Sequence, residues 1–326
     1  MDPSSFKKLQ VSRGYVYSYY ITSSPPNSKP TLLFIHGFPL SALDWNRQVS
    51  FFEAKGFRVI CPNMLGSGET DRPADTAVFR RNLLAADIID ILDAEKVDKV
   101  IGVGHDWGSV ILSRLSMLHP NRFLGFGWLA VAFMEPYTTT FDLEARMVLM
   151  KQNLGYEGFA YWQLFAMEDA DKVIDQNVDS FIQLLYPKDP ALWLTYMVLP
   201  GKTSEFVRSS MKPGFADYMT PQEIDNIRND IKNGGVLSRL YSYRGDIAST
   251  DLEDNLKIPE ENWRVQKPSY IALTLKDCIC VPGGPKMTMA KYGTDVTYEK
   301  FDTGHWVMLE ATEQLNAGLL RWIEKL

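Results

Sequence analysis

An aspartate stands where a serine is the common occupant. In Gly104-His105-Asp106-Trp107-Gly108-Ser109, glycines two before and two after Asp106 have the spacing of a nucleophile elbow, the tight turn from a strand into a helix. Small neighbours are needed there because strand and helix approach closely and the central residue holds strained backbone angles. A carboxylate at that point can displace a leaving group from an sp³ carbon and become an ester, which water can cleave. A serine would leave a stable ether. Taken by itself the hexapeptide also reads as a glycine-rich turn with a solvated aspartate, so its partners decide.

Those partners are present in order. His36-Gly37-Phe38-Pro39 closes an earlier apolar run, at the place where a loop supplies one backbone N–H to an oxyanion hole. The donors are then the amides of Phe38 and Trp107. Asp277 follows the run ending at Leu275, and His305 lies in Asp302-Thr303-Gly304-His305-Trp306 before the C-terminal helix. Nucleophile, acid, histidine is the chain order of the α/β-hydrolase fold. The chain has 4 histidines; His36 belongs to the loop, His105 to the elbow, and His119 precedes Pro120. His305 is the base.

These residues need strand ends to sit on. Gly14–Tyr20 alternates as a strand does, and a Pro/Ser/Asn turn is expected at Ser23–Pro30. Thr31–Ile35, Phe57–Cys61, Lys99–Val103 and Ser269–Leu275 are short unbroken apolar runs, which suit parallel strands buried on both faces; Asp295–Phe301 is a weaker one. Helical spacing at Trp45–Lys55, Val78–Ala94, Val110–Leu115 and Leu315–Ile323 alternates with them, the pattern of a doubly wound α/β sheet. From Met134 to about Trp263 helical signals dominate and aromatics are frequent. Residues 1–133 and 263–326 are therefore assigned to the α/β core, and 134–262 to a helical insertion.

Composition narrows the setting. A net charge of -6 gives no reason to expect nucleic acid as partner. Cys61, Cys278 and Cys280 lack metal-ligand spacing, and Cys278-Ile279-Cys280 lies in an apolar, strand-like run, so buried reduced thiols are expected and no metal site. The first residues hold no signal-type apolar segment, no apolar stretch is long enough to span a bilayer, and Glu324-Lys325-Leu326 is a poor peroxisomal address. A cytoplasmic protein without membrane anchor is expected, as monomer or homodimer.

At this level the chain resembles the epoxide hydrolase family of α/β-hydrolases over nearly its whole length. His36–Pro39 is similar to that family's H-G-x-P loop, Gly104–Ser109 to its small-x-Asp-x-small-small elbow, and Leu65–Pro73 to its glycine-rich stretch, with Thr70 where serine is common. The resemblance implies an epoxide opened by Asp106 and an ester hydrolysed by His305, with Asp277 orienting it and no cofactor. It also implies two cap tyrosines holding the epoxide oxygen. Tyr161, in Tyr161-Trp162-Gln163-Leu164-Phe165, and Tyr243, before Arg244, fit best, with Tyr156 and Tyr241 as neighbouring choices. Tyr156 and Tyr241, with His36 and Pro39, are assigned to substrate binding. The expected partners are a small hydrophobic epoxide and water. A haloalkane dehalogenase shares the Asp nucleophile and needs halide-binding N–H donors, for which Phe38 is unsuited and Trp162 or Trp193 are candidates. A non-catalytic receptor on the same fold ordinarily keeps serine in the elbow.

Overall fold

The computed structural model describes residues 1–22 and 29–326. Among them, β1 (Phe6–Gln10), β2 (Val16–Ile21), β3 (Thr31–Ile35), β4 (Val59–Pro62), β5 (Val100–His105), β6 (Phe123–Leu129), β7 (Ser269–Thr274) and β8 (Val296–Phe301) form one sheet. Its order is β1-β2-β4-β3-β5-β6-β7-β8. The β1–β2 and β2–β4 pairings are antiparallel and all others parallel. Every residue of β3, β5 and β7 is buried, because helices cover both faces. On one side α1 (Asn46–Ala54) packs Val49 and Phe52 into the same cluster as Leu315 and Leu319 of helix Thr312–Ile323. On the other, Ile88 and Ile91 of α2 (Arg81–Ala94) meet Leu112 and Leu115 of α3 (Trp107–Leu118). This is the α/β-hydrolase fold.

The chain leaves β3 through α1 to β4, then returns through α2 to β5 on the opposite side of β3. The crevice beyond the ends of β3 and β5 is thus a topological switch point, where open α/β sheets build their sites. Both the Phe38 loop and Asp106 emerge there.

Two strands escape the sequence pattern. β1 carries Lys7 and Lys8 and lies at the sheet edge, where charge discourages pairing with another chain. β6 reads Phe-Leu-Gly-Phe-Gly-Trp-Leu, and its glycines hide the strand signal. At Gly127 a side chain would press on β5, since a Cβ there would lie 3.3 Å from Val103 Cγ2. The run Cys278-Ile279-Cys280 is a turn rather than a strand: Asp277 Oδ1 accepts the amides of Ile279 and Cys280, both at 2.9 Å, and bends the backbone. All three cysteines are free thiols, Cys61 buried and the other two half-buried. Of the turn expected at Ser23–Pro30, residues 23–28 lie outside the described residues.

Between β6 and β7 the described regular elements are helices, from Leu143–Leu154 to Leu252–Leu256 and a 3-10 turn at Glu260–Trp263. Phe165, Phe181, Phe206, Ile231 and Leu240 of this insertion are buried in one cluster with the core residues Phe34 and Leu129. Arginines tie it to the sheet domain. Arg47 donates to Glu223 at 2.7 Å, Arg81 to Asp246 at 2.5 and 2.6 Å, and Arg239 to the carbonyls of Gly66 and Pro39 at 3.0 and 2.6 Å. Among the described residues no helix is long and apolar enough to cross a membrane.

Candidate active site

Asp106 lies between β5 and α3 with φ of 53°, in a region that residues other than glycine rarely adopt. Its setting leaves no room for larger neighbours: a Cβ on Gly108 would lie 2.0 Å from the Ile35 carbonyl oxygen, and one on Gly37 would lie 2.5 Å from Asp106. The carboxylate is met by the Phe38 amide, which donates to Oδ1 at 2.8 Å, and by the Trp107 amide. Burial pushes the Asp106 carboxyl above its ordinary range, opposed by His305 and by those two amides. Its other oxygen, Oδ2, lies 3.7 Å from His305 Nε2, just beyond hydrogen-bond range.

His305 lies between β8 and the one-turn helix Val307–Glu310. Its Nδ1 donates to Asp277 Oδ2 at 2.7 Å, and the Asp277 side chain is wholly buried. Burial disfavours the imidazolium, but the anions Asp277, Asp106 and Glu310 outweigh it and hold His305 above its ordinary value. For Asp277, burial is likewise overcome, by His305 and the two turn amides, and its carboxyl sits low. Both shifts describe one pair that favours the charged forms.

Two further residues hold His305, and neither was marked by sequence reasoning as doing so. Glu310 spans the imidazole-bearing turn: its two oxygens accept the amides of Gly304 at 2.8 Å and Trp306 at 3.0 Å. Its signal is an acid five residues after the histidine, able to reach back to exposed backbone N–H groups as in a capping box. His105 donates from Nε2 to the His305 carbonyl at 2.9 Å and packs ring to ring at 4.7 Å. Burial first, then His305, pushes His105 down to about 3, so it stays neutral.

Across the cavity from the carboxylate stand Tyr161 and Tyr243. Tyr161 lies in the turn that opens helix Trp162–Ala166, its amide held by the Met197 carbonyl at 3.0 Å. Tyr243 lies within helix Leu237–Ile247, its ring 4.9 Å from Phe38, 5.0 Å from Trp107 and Trp162, and 4.7 Å from Phe165. Among the described residues neither hydroxyl donates to a protein acceptor. Burial raises both phenols well above 10; the Asp106 charge adds to this, as does Tyr161 for Tyr243.

Four other expected site residues lie elsewhere. Tyr241 is two residues from Tyr243 on one helix and so faces the other way, stacking on Phe79 at 5.5 Å. The Tyr156 hydroxyl donates to the Cys278 carbonyl at 2.8 Å. His36 spends both nitrogens on backbone: Nδ1 donates to the Gly37 carbonyl at 2.8 Å, and Nε2 accepts the Met64 amide at 2.9 Å. Burial pushes it down to about 4, in keeping with that neutral form. Pro39 offers its carbonyl to Arg239, and both residues border a separate hollow of about 40 Å³. These four are structural supports here, not walls of the Asp106 cavity.

Comparison with known proteins places this geometry. Residues 30–170 match the family model described as alpha/beta hydrolase fold. An epoxide hydrolase of Caballeronia sordidicola is 36% identical over 90% of this chain and 87% of its own length. The bifunctional epoxide hydrolase 2 of Sus scrofa is 23% identical over 99% of this chain, which spans only 57% of that relative. Epoxide hydrolase A of Mycobacterium thermoresistibile superposes with a TM-score of 0.79 at 21% identity, covering 98% of both chains. With its aspartate elbow and the long match to the bacterial enzyme, the chain belongs to the epoxide hydrolase family.

Proposed function

We propose that the chain converts a hydrophobic epoxide and water to a vicinal diol through an alkyl ester of Asp106, with residues 134–262 as the cap and 1–133 with 263–326 as the core. The observation that carries this is one cavity shared by an amide-held carboxylate and two phenols whose hydroxyls have no acceptor among the described residues. Oδ1 stays in the Phe38 and Trp107 amides while Oδ2 attacks the epoxide carbon from the side away from the C–O bond. Tyr161 and Tyr243 donate hydrogen bonds to the epoxide oxygen as it gains charge; one of them passes its proton to the opened oxygen, and the phenolate left behind is reprotonated from solvent. Their raised pKa keeps them protonated at neutral pH, so both enter the reaction as donors.

Ester formation removes the Asp106 charge, one of the anions that raise His305. The imidazole becomes easier to deprotonate at the moment it is needed as a base. It then takes a proton from water, which adds to the ester carbon; the oxyanion forms at Oδ1, between the two amides. On collapse His305 returns its proton to the departing alkoxide oxygen, which completes the diol, and the Asp106 carboxyl loses its proton to solvent to restore the carboxylate. No metal or organic cofactor is assigned a task.

The dehalogenase alternative asks for free indole N–H donors over the carboxylate: Trp193 gives its own to the Leu184 carbonyl at 2.8 Å, and Trp162, whose buried indole N–H has no acceptor among the described residues, is not among the residues lining the Asp106 cavity. The enzyme is taken as monomer or homodimer in a reducing, cytoplasmic setting, where the free thiols persist. One turnover in ¹⁸O-labelled water with styrene oxide tests the mechanism. The first diol is expected to be unlabelled, with label entering Asp106; labelled diol in that turnover means direct water attack and ends the covalent scheme.

A further inference from the structure

The cavity that joins Asp106, His305, Tyr161 and Tyr243 has a free volume of only about 30 Å³. By the same measure one buried water needs ~10–15 Å³, so this space takes the reacting ring with little beside it. A second hollow of about 280 Å³ lies directly beside it. It opens to solvent between exposed Lys188 and Pro190 of the cap and Lys276 of the core, and its apolar inner lining includes Pro187 and Ala216. Leu185, Trp193, His305 and Trp306 line both spaces and so form the wall between them.

Three of those four are fixed. His305 is held by Asp277, Glu310 and His105, as described. Trp306 donates from its indole to the Leu185 carbonyl at 2.8 Å and packs on Tyr186 at 4.5 Å, which anchors Leu185 as well. Trp193 sits instead on the short helix Leu192–Tyr196, between Pro190 and the exposed Leu194, with its ring 5.8 Å from His305. Among the described residues its side chain makes one hydrogen bond, from the indole to the Leu184 carbonyl, and one further ring contact, with Trp306 at 6.5 Å. Trp193 is the part of the wall most readily displaced.

Resting on the epoxide hydrolase reading, we propose that the outer hollow is the subsite for an apolar alkyl or aryl substituent of the epoxide, and that Trp193 sets how bulky that substituent can be. The attacked carbon lies over Asp106 Oδ2 with the ring oxygen toward the tyrosines. The substituent then passes the Trp193 edge into the larger space, with the indole turned aside. Mono-substituted epoxides need little of that space, and elongated di-substituted ones need most of it.

The test compares kcat/KM for trans-stilbene oxide and for styrene oxide in the wild type, in Trp193→Ala and in Ala216→Trp. Opening the wall is expected to raise the stilbene-to-styrene ratio by about tenfold, and filling the outer hollow to lower it by a similar factor, the scale of a few methylenes of lost or gained fit. The ratio is read rather than the absolute rate, because Trp193 also touches the His305 ring. The two variants push in opposite directions, so either alone decides if the other fails to fold. An unchanged ratio in the folded variants, or a change that hits both substrates equally, overturns the proposal. Diol from styrene oxide in the wild type keeps the parent reading intact in that case; absence of diol from both epoxides defeats the parent reading instead.

Discussion

The two walls of the Asp106 cavity are built on different physics. On the core side, Asp106, Asp277 and His305 come from three strand ends, and hydrogen bonds and charge fix them: the Phe38, Ile279 and Cys280 amides, the 2.7 Å imidazole–carboxylate bond, the Glu310 bridge. On the cap side, Tyr161 and Tyr243 are positioned by ring packing against Phe165, Trp162, Trp107 and Phe38, and their hydroxyls donate to no acceptor among the described residues. The core wall is electrostatically coupled, so a change in one charge is felt by the others. The cap wall is held in place sterically, by ring packing. Substitutions should therefore behave cooperatively on one side and in graded fashion on the other.

The largest effect is expected at the centre of the coupled wall. Asp106→Asn removes the nucleophile and should lower steady-state turnover of styrene oxide on the order of 10⁴-fold or more. A smaller loss would show that the core wall carries less of the reaction than its coupling suggests. His305→Gln should separate the half-reactions: mass spectrometry is expected to find alkylated Asp106 accumulating while diol release stops. In the wild type, turnover should fall as pH drops through the His305 pKa, since the base must be neutral. That acid limb should lie lower for hydrolysis of the preformed ester than the His305 titration of the free enzyme, because esterification removes an anion that raises it. Coincident values would mean the charge of Asp106 does not reach His305.

On the cap side, Tyr243→Phe and Tyr161→Phe should each cost about 100-fold in the rate of ester formation, and the double variant clearly more. Tyr241→Phe should match the wild type in the same stopped-flow assay. A Tyr241 effect as large as that of Tyr243 would break the assignment. The smallest loss is expected at Glu310. Glu310→Gln can no longer accept both turn amides, and about a tenfold loss in kcat should follow, the scale of one charge-assisted hydrogen bond. Its acid limb should also move to lower pH, since Glu310 helps raise His305. Lost thermal stability with an unmoved pH profile would make Glu310 a fold residue only.

The same contrast explains what could be read from the sequence. Asp106, Asp277 and His305 are legible because each follows a strand and their order is fixed by the fold. Their chemistry also restricts the residue types. Tyr161 and Tyr243 become visible only through the family resemblance, since ring packing leaves a weak local pattern among 15 tyrosines. Helical period alone separates Tyr243 from Tyr241 once helix Leu237–Ile247 is known. The fates of Tyr156 and His36 depend on a distant carbonyl and a distant amide, Cys278 and Met64, which no local spacing reveals. In the sheet, β3, β5 and β7 stand out as unbroken apolar runs, whereas β6 is hidden by its glycines and β1 by its lysines.

The positive φ of Asp106 has a consequence for descent as well as for chemistry. Glycine holds that backbone at no steric cost and asparagine at less than most residues, while a buried carboxylate with a raised pKa adds its own penalty. At this position a step toward a more stable chain is also a step toward an inactive one. Only the demand for turnover keeps the aspartate in place. Lineages released from that demand are expected to lose it early and keep the rest, leaving a well-folded protein with an aromatic cavity that holds its ligand without consuming it.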